Sequence, residues 1–408
     1  MPATALRDAW TPERLGAAVD DYVGFHRSPE LSGRERRTAE KIRERLTGLG
    51  LEVHEVGRHG VVGVLRNGDG PVVAYRADTD GLPVQEETGL SYASTETAEL
   101  DGAEVPVMHA CGHDAHIAVA LALAGLLSAK RETWSGTVVW IFQPAEETAA
   151  GAADMVAAGL WDLVPRPIAV LGQHITAIPA GRVSIGFGDI MNLGDSWRVT
   201  IRGRGAHGAK PQESIDPIVI AAHTIVRLQT VVSREVDPSH PAVVTVGQVH
   251  AGTKENVIPD EAVIALNVRT PDAAVRERVV AAVRRIVDAE AAAGGAPAPV
   301  FERISRFPRC YNDPQRAEIA AAALDAEFGA ASVDRSLRAT GSEDVGALAD
   351  AIGVPLVFWM FGAYRPGRES MPANHSPHFG PDAEEAVDTG ARAGLAVLER
   401  FLAEPTEG

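Results

Sequence analysis

The sequence predicts an α/β protein into which a smaller α/β domain is inserted, on three observations. Apolar strand-like runs alternate with helical patterns up to about residue 187. From there to about residue 305 the order becomes strand, helix, strand, strand, helix, strand. Beyond that point the first alternation resumes. Alternating helices and strands build a sheet with helices on its faces, and a βαββαβ order is the ferredoxin-like plan. The predicted organisation is one domain made from residues 1–187 and 306–408, with residues 188–305 as the insert.

Each element has a local reason. Thr11-Pro12-Glu13 opens the first helix, because Thr caps and Pro suits the first helical position. A second helix runs from about Gly33 to Leu49 and stops at Gly50. Leu51–Val56, Val61–Leu65 and Val72–Tyr75 read as strands, the last two joined across Asn67-Gly68-Asp69-Gly70 as a hairpin or tight loop. A helix follows from about His116 to Lys130. Thr137–Phe142 is then a near-continuous apolar run of the kind that a strand buried on both faces needs. The helix Ala149–Ala158 and the strand Ile168–Gln173 complete the first alternation. The insert reads as strand Ser196–Arg202, helix Asp216–Ser233, strands Ala242–His250 and Ala262–Arg269, helix Pro271–Ala293 and strand Pro299–Ile304. The last part carries helices at Gln315–Phe328 and Val345–Ile352, a strand at Pro355–Phe361 and a closing helix at Ala383–Leu402.

Composition removes several function classes. A chain of 408 residues with 45% hydrophobic and 23% charged residues has material for a sizeable core. Lys and Arg number 38 against 55 Asp and Glu, a formal charge of −17. A protein that tracks phosphates needs the opposite sign, so nucleic acid is not an expected partner. Two cysteines, Cys111 and Cys310, make no disulfide framework and fit a reducing cytoplasm. Met1–Leu15 carries four charged residues and no apolar core of signal-peptide length. The apolar stretch Ile117–Leu127 is too short to span a bilayer, so no membrane association is expected.

Four segments carry chemistry. In His109-Ala110-Cys111-Gly112-His113-Asp114, a thiol and an imidazole two residues apart flank a Gly that allows a sharp bend, and both are zinc-type ligands. A lone Cys-x-His is also common by chance or in a core. Gln143-Pro144-Ala145-Glu146-Glu147 follows the buried strand, at the end where open α/β sheets place their sites. Two adjacent carboxylates suit a metal ligand beside a general base, and equally suit a solvated helix start. Gly172-Gln173-His174 also ends an apolar strand. Asn374-His375-Ser376-Pro377-His378-Phe379 lies in a loop before the last helix. Any one His would usually be a satisfied loop or core residue. Four such segments at strand ends and in loops of one domain form a stronger pattern.

These strings, with Tyr75-Arg76-Ala77-Asp78-Thr79-Asp80-Gly81-Leu82-Pro83, resemble the co-catalytic zinc amidohydrolases related to aminoacylases and carboxypeptidase G. The branch most similar is that of hippurate hydrolase, auxin-conjugate amidohydrolases and bacterial N-acyl-amino-acid aminoacylases. The resemblance runs from about Val19 to Leu402. It implies a phosphorylase/hydrolase-like catalytic domain with a central mixed sheet flanked by helices, and an inserted lid or dimerisation domain. Carried over by motif, Cys111, His113, Glu147, His174 and His375 are the metal ligands, with the Cys111 thiolate bridging two ions. Glu146 matches the general base. Asp78 matches a supporting carboxylate, although Arg76 stands where relatives related to carboxypeptidase place a ligand His. His116, one helical turn past His113, is expected to pack or support rather than ligate.

In the insert, Gly205-Ala206-His207-Gly208-Ala209-Lys210-Pro211 matches a motif whose His stabilises the tetrahedral oxyanion, in several relatives across a dimer interface. Asn256 and Arg269 match positions that hold a substrate carboxylate, and an Arg fork suits that group. Cys310 matches no role and reads as a buried thiol. The implied function is a metal-dependent amidohydrolase of N-acyl-amino acids, with the N-acyl-glutamine type most similar. The alternatives are a dipeptidase or carboxypeptidase on the same site, or a metal-bound binding protein without catalysis. The implied cofactors are two divalent ions, zinc by ligand type, with Mn, Co or Ni admitted by the same donors. The implied assembly is a homodimer or homotetramer through the lid, and the implied location is the cytoplasm.

Overall fold

A computed structural model describes residues 6–404 of the chain. Contacts divide the chain into two compact units. One runs up to Ile190 and takes up Tyr311–Arg338 and the chain from Asp344. The other comprises Met191–Cys310 and Ala339–Glu343.

The first unit begins with helices α1 (Pro12–His26) and α2 (Arg36–Gly48). Strands β1 (Glu52–Val56), β2 (Gly60–Asn67) and β3 (Val72–Asp78) follow, then a small hairpin of β4 (Thr97–Leu100) and β5 (Ala103–Pro106). Next come α3 (His113–Ala129), β6 (Gly136–Gln143), α4 (Gly151–Ala157), α5 (Leu160–Leu163), β7 (Val170–Pro179), β8 (Val183–Ile185) and β9 (Gly188–Asp189). The second unit holds β10 (Leu193–Arg202), β11 (Ala206–His207), α6 (Pro217–Glu235), β12 (Val243–Ala251), β13 (Val257–Ile258), β14 (Glu261–Thr270), α7 (Ala273–Ala293) and β15 (Val300–Phe307). The chain then returns to the first unit through β16 (Tyr311–Asn312), α8 (Pro314–Phe328), β17 (Val333–Asp334), α9 (Gly346–Ile352), β18 (Leu356–Tyr364) and α10 (Ala383–Leu402).

The first unit is built on a mixed sheet ordered β1-β2-β6-β3-β7-β18-β16-β9, with β8 paired to β18 and β17 to β8. Strands β6, β3, β7 and β18 run parallel to one another. Every residue of β6 and β18 is buried, as a strand covered on both faces requires. Trp140, Trp359, Tyr75, Phe142 and Phe361 form the large apolar body of this core. Helix α3 is apolar nearly all round because it is enclosed on nearly every side, with α1 and α10 packed against it.

Of the two readings of Asn67–Gly70, the tight loop holds and the hairpin does not, because β6 lies between β2 and β3, antiparallel to the first and parallel to the second. The hairpin at this edge of the sheet is β1 with β2.

The second unit has a four-stranded antiparallel sheet ordered β12-β14-β10-β15. Helices α6 and α7 pack on it around Trp197, Val199, Ile201, Ile264, Leu266, Leu228 and Val283. Asp216 and Asp272 cap the two helices with their carboxylates. Strand β12 is an edge strand and is exposed along most of its length.

Candidate metal centre

The parallel strands of the first unit end where chemistry is expected of an α/β sheet. Strand β3 ends at Asp78, in register with Gln143 at the end of β6. His174 lies on β7, in register with Met360 of β18. Cys111 sits in the turn before α3, and His113 is the first residue of that helix. The turn depends on Gly112, whose φ is +83°. A Cβ there would lie 2.4 Å from Ile175 Cγ2, so both the backbone and the space demand glycine.

Two donor triads meet at one sulfur. Ligand atoms of Cys111, His113 and His174 lie within 4.8 Å of one another, as do those of Cys111, Glu147 and His375. His174 Nε2 is 3.4 Å from Cys111 Sγ. His375 Nε2 is 3.1 Å from Glu147 Oε1. Beyond that ion pair, the carboxylate oxygen has no hydrogen-bond partner among the described residues, and neither does His113 Nε2. Buried polar atoms of this kind call for an explanation, and donors converging on a cation supply one.

The hydrogen bonds around the triads select metal-binding tautomers. His113 Nδ1 donates to Asp80, to its backbone oxygen at 2.9 Å and Oδ1 at 3.1 Å, which leaves Nε2 with its lone pair. His174 Nδ1 donates to the Ile175 carbonyl at 2.6 Å, which leaves Nε2 facing Cys111. His116 differs. Its Nε2 accepts from the Ile175 N–H at 2.8 Å and its Nδ1 bonds Asp78, so it has no lone pair to offer.

The charges point the same way. Burial lowers His113, but the Asp78 and Asp80 carboxylates overcome it and push the imidazole up to about 10. Burial, then Glu147 and Glu146, raise the Cys111 thiol well above its ordinary range. Burial and the neighbouring His116 hold His174 well below its ordinary value. Thiol, imidazole and carboxylate donors around one sulfur fit two divalent ions, whose binding would compete with protons for the thiol and the imidazoles.

The site's supports are equally specific. Burial works against ionisation of Asp78, yet Arg76, His113 and His116 hold its carboxyl well below the usual range. Arg76 Nη1 meets Asp78 at 2.6 Å, and the same guanidinium bonds Gln143 and Asp344. Glu146 is buried. Ala145, just before it, has φ +52°, and its N–H donates to Glu35 Oε1 at 2.7 Å. Glu35 is pushed up to about 8 by burial and by Asp80. The Glu147 N–H donates to Asp80 Oδ2 at 3.0 Å. Asp80 and Glu35 were not singled out by sequence reasoning. Asp80 had a usable signal, since it stands two residues past Asp78 at a strand end. Glu35 had none.

The residues expected to meet substrate lie in the second unit. His207 and Asn256 share a small ribbon, where His207 of β11 pairs with Val257 of β13 and the Gly208 N–H donates to the Asn256 carbonyl at 2.8 Å. Both side chains are exposed. Arg269, on β14, donates through Nε to Asn267 Oδ1 at 3.1 Å and through Nη1 to Ser342 Oγ. Cys310 is buried. No described helix is long and apolar enough to cross a membrane.

Comparison with known proteins gives a family. The sequence profile of peptidase family M20/M25/M40 matches residues 74–400. An N-acetylcysteine deacetylase of Bacillus subtilis (strain 168) is 38% identical over 92% of this chain and 94% of its own. An N-acyl-L-amino acid amidohydrolase of Geobacillus stearothermophilus is 40% identical over 70% of this chain and 78% of its own. Among solved structures, the YXEP protein of Bacillus subtilis, described as a dinuclear metal binding peptidase from the M20 family, superposes with a TM-score of 0.74. It is 34% identical and covers 95% of this chain and 99% of its own.

Proposed function

The chain belongs to peptidase family M20/M25/M40, and from that premise we propose that it is a metal-dependent amidohydrolase that splits N-acyl amino acids into a carboxylic acid and a free amino acid. The observation that carries the reading is the pair of donor triads sharing Cys111, with the buried Glu146 next to the ligand candidate Glu147. Cys111, His113, Glu147, His174 and His375 would hold two divalent ions, zinc by the softness of the thiolate and imidazole donors. When bound, such ions polarise the scissile carbonyl and make water a better nucleophile at neutral pH.

The chain's own groups do the rest. Glu146 accepts a proton from the attacking water and delivers it to the amide nitrogen as the C–N bond breaks. Water oxygen ends on the acyl carbon, and both water protons leave with the products. His207 donates to the oxyanion of the tetrahedral intermediate, a contribution of about 3 kcal/mol by comparison with oxyanion-hole deletions. Arg269 and Asn256 bind the free carboxylate of the amino-acid half, Arg269 through its fork. Asp78 supports the ligand shell. The second unit, residues 188–305 by the sequence reading, serves as lid and as the surface for a homodimer or homotetramer. Its exposed edge strand β12 and the exposed Val226 and Val219 of α6 support that assignment. The names of the two relatives support an N-acyl amino acid as substrate, and the two-cysteine content supports a cytoplasmic location.

The test is a panel of N-acyl amino acids beside unblocked dipeptides, assayed before and after chelation. The account predicts release of free amino acid from the acylated compounds, lost on chelation and restored by zinc. Release from dipeptides alone would replace it with a dipeptidase.

A further inference from the structure

The sequence motif around His375 contains a residue that the reaction above does not use. Asn374 donates through Nδ2 to the carbonyl of Cys111 at 3.0 Å and to the carbonyl of Ile175 at 3.1 Å. An amide nitrogen has two hydrogens, and these two acceptors use both. The assignment of nitrogen and oxygen follows from the partners, since two carbonyls can only be met by the NH2 end. The same nitrogen lies 4.0 Å from Cys111 Sγ, at the outer limit for a sulfur acceptor.

Those two carbonyls are not arbitrary ones. The Ile175 carbonyl is the acceptor that fixes the His174 tautomer, and the Ile175 N–H is held by His116, which in turn bonds Asp78. The Cys111 carbonyl belongs to the residue shared by both donor triads. On the next residue, the His375 N–H donates to the Ala110 carbonyl at 2.7 Å, and His375 itself takes φ +69°. One side chain therefore ties together three segments far apart in sequence: the Cys111 turn, the middle of the His174 strand and the His375 loop.

We propose that Asn374 is a positioning residue of the metal centre, which holds Cys111, His174 and His375 in register by clamping two backbone carbonyls with one amide. The inference rests on reading those three residues as ligands. The Ser376-Pro377 turn after it stiffens the loop, but no other side chain of that loop reaches both carbonyls. Outer groups of this kind commonly alter metal affinity roughly 10- to 100-fold.

The test is a titration of the metal-free full-length chain with Co(II), followed by the thiolate-to-cobalt charge-transfer absorption in the near ultraviolet and the d–d bands in the visible. No substrate is involved, so the result is independent of the amidohydrolase reading. Cys111→Ser serves as the control that removes the charge-transfer band. In Asn374→Ala the account predicts affinity lowered roughly 10- to 100-fold, with changed d–d bands showing altered geometry. Asn374→Leu, which keeps the shape and removes the donors, shows the same loss, and it decides the matter if the alanine variant does not fold. Wild-type affinity and spectra in a folded Asn374→Ala, or in Asn374→Leu, overturn the clamp. A wild-type spectrum without the thiolate band overturns the ligand reading and the clamp with it.

Discussion

At the scale of single residues, Asp80 shows how much of the site rests on groups that hold the ligand candidates in place. One carboxylate oxygen of Asp80, with the residue's backbone oxygen, holds His113 Nδ1, while the second carboxylate oxygen holds the Glu147 N–H. Asp80→Ala is therefore expected to weaken metal binding by roughly 10- to 100-fold, measured by competition with a chromophoric chelator. Unchanged affinity in the folded variant contradicts this account of the shell. Cys111, His113, Glu146, Glu147, His174 and His375 are candidates that the resemblance carries over by motif, and each has a side chain of the type the proposed chemistry needs. Asp80, Glu35 and Asn374 act on backbone groups brought to them by folding. Ala145 is 110 residues from Glu35, and Cys111 is 263 residues from Asn374. No local spacing announces the partners of Glu35 and Asn374.

At the scale of elements, helices and buried strands follow from periodicity, while neighbour relations in the sheet do not. The Asn67–Gly70 turn is read correctly as a turn, yet its two strands are separated by β6, which arrives some sixty residues later. Element ends differ for related reasons. Helix α3 begins at His113 rather than His116 because Gly112 completes the bend, and β7 runs on to Pro179 because β18 continues beside it. The seam between α1 and α3 carries a pH-dependent contact. His26 bonds Asp114 at 2.6 Å and Glu86 at 3.1 Å. Burial lowers His26, but its bonds to Asp114 and Glu86 outweigh it and push the imidazole up to about 9 from 6.5. A histidine raised in the folded state stabilises fully below pH 6.5 and loses that stabilisation as pH rises through about 9. Denaturant unfolding at both ends of this range should show wild type losing on the order of 3 kcal/mol more than His26→Gln. Parallel pH dependence in the two proteins contradicts the assignment.

At the scale of the whole molecule, the sequence already separates an apolar α/β body from an insert with a different strand order. It cannot place the seam to the residue. The expected insert is residues 188–305, whereas the second compact unit is Met191–Cys310 with Ala339–Glu343. That short segment joins because Gly341 and Ser342 bond Asn192 and Arg269, contacts that no local pattern reveals. The acidic balance of the chain disfavours phosphate tracking without disfavouring a local anion site on Arg269.

If a metal centre and a carboxylate base act together, Glu146→Gln removes the base and leaves the metal centre. The glutamine keeps shape and removes the proton acceptor, and Glu146, although it groups with His113 and Glu147, belongs to neither of the triads that share Cys111. The variant should fold, bind its two divalent ions with wild-type stoichiometry and lose about 10²- to 10⁴-fold in kcat on N-acyl amino acids. A metal-loaded Glu146→Gln that turns over at the wild-type rate would contradict the account.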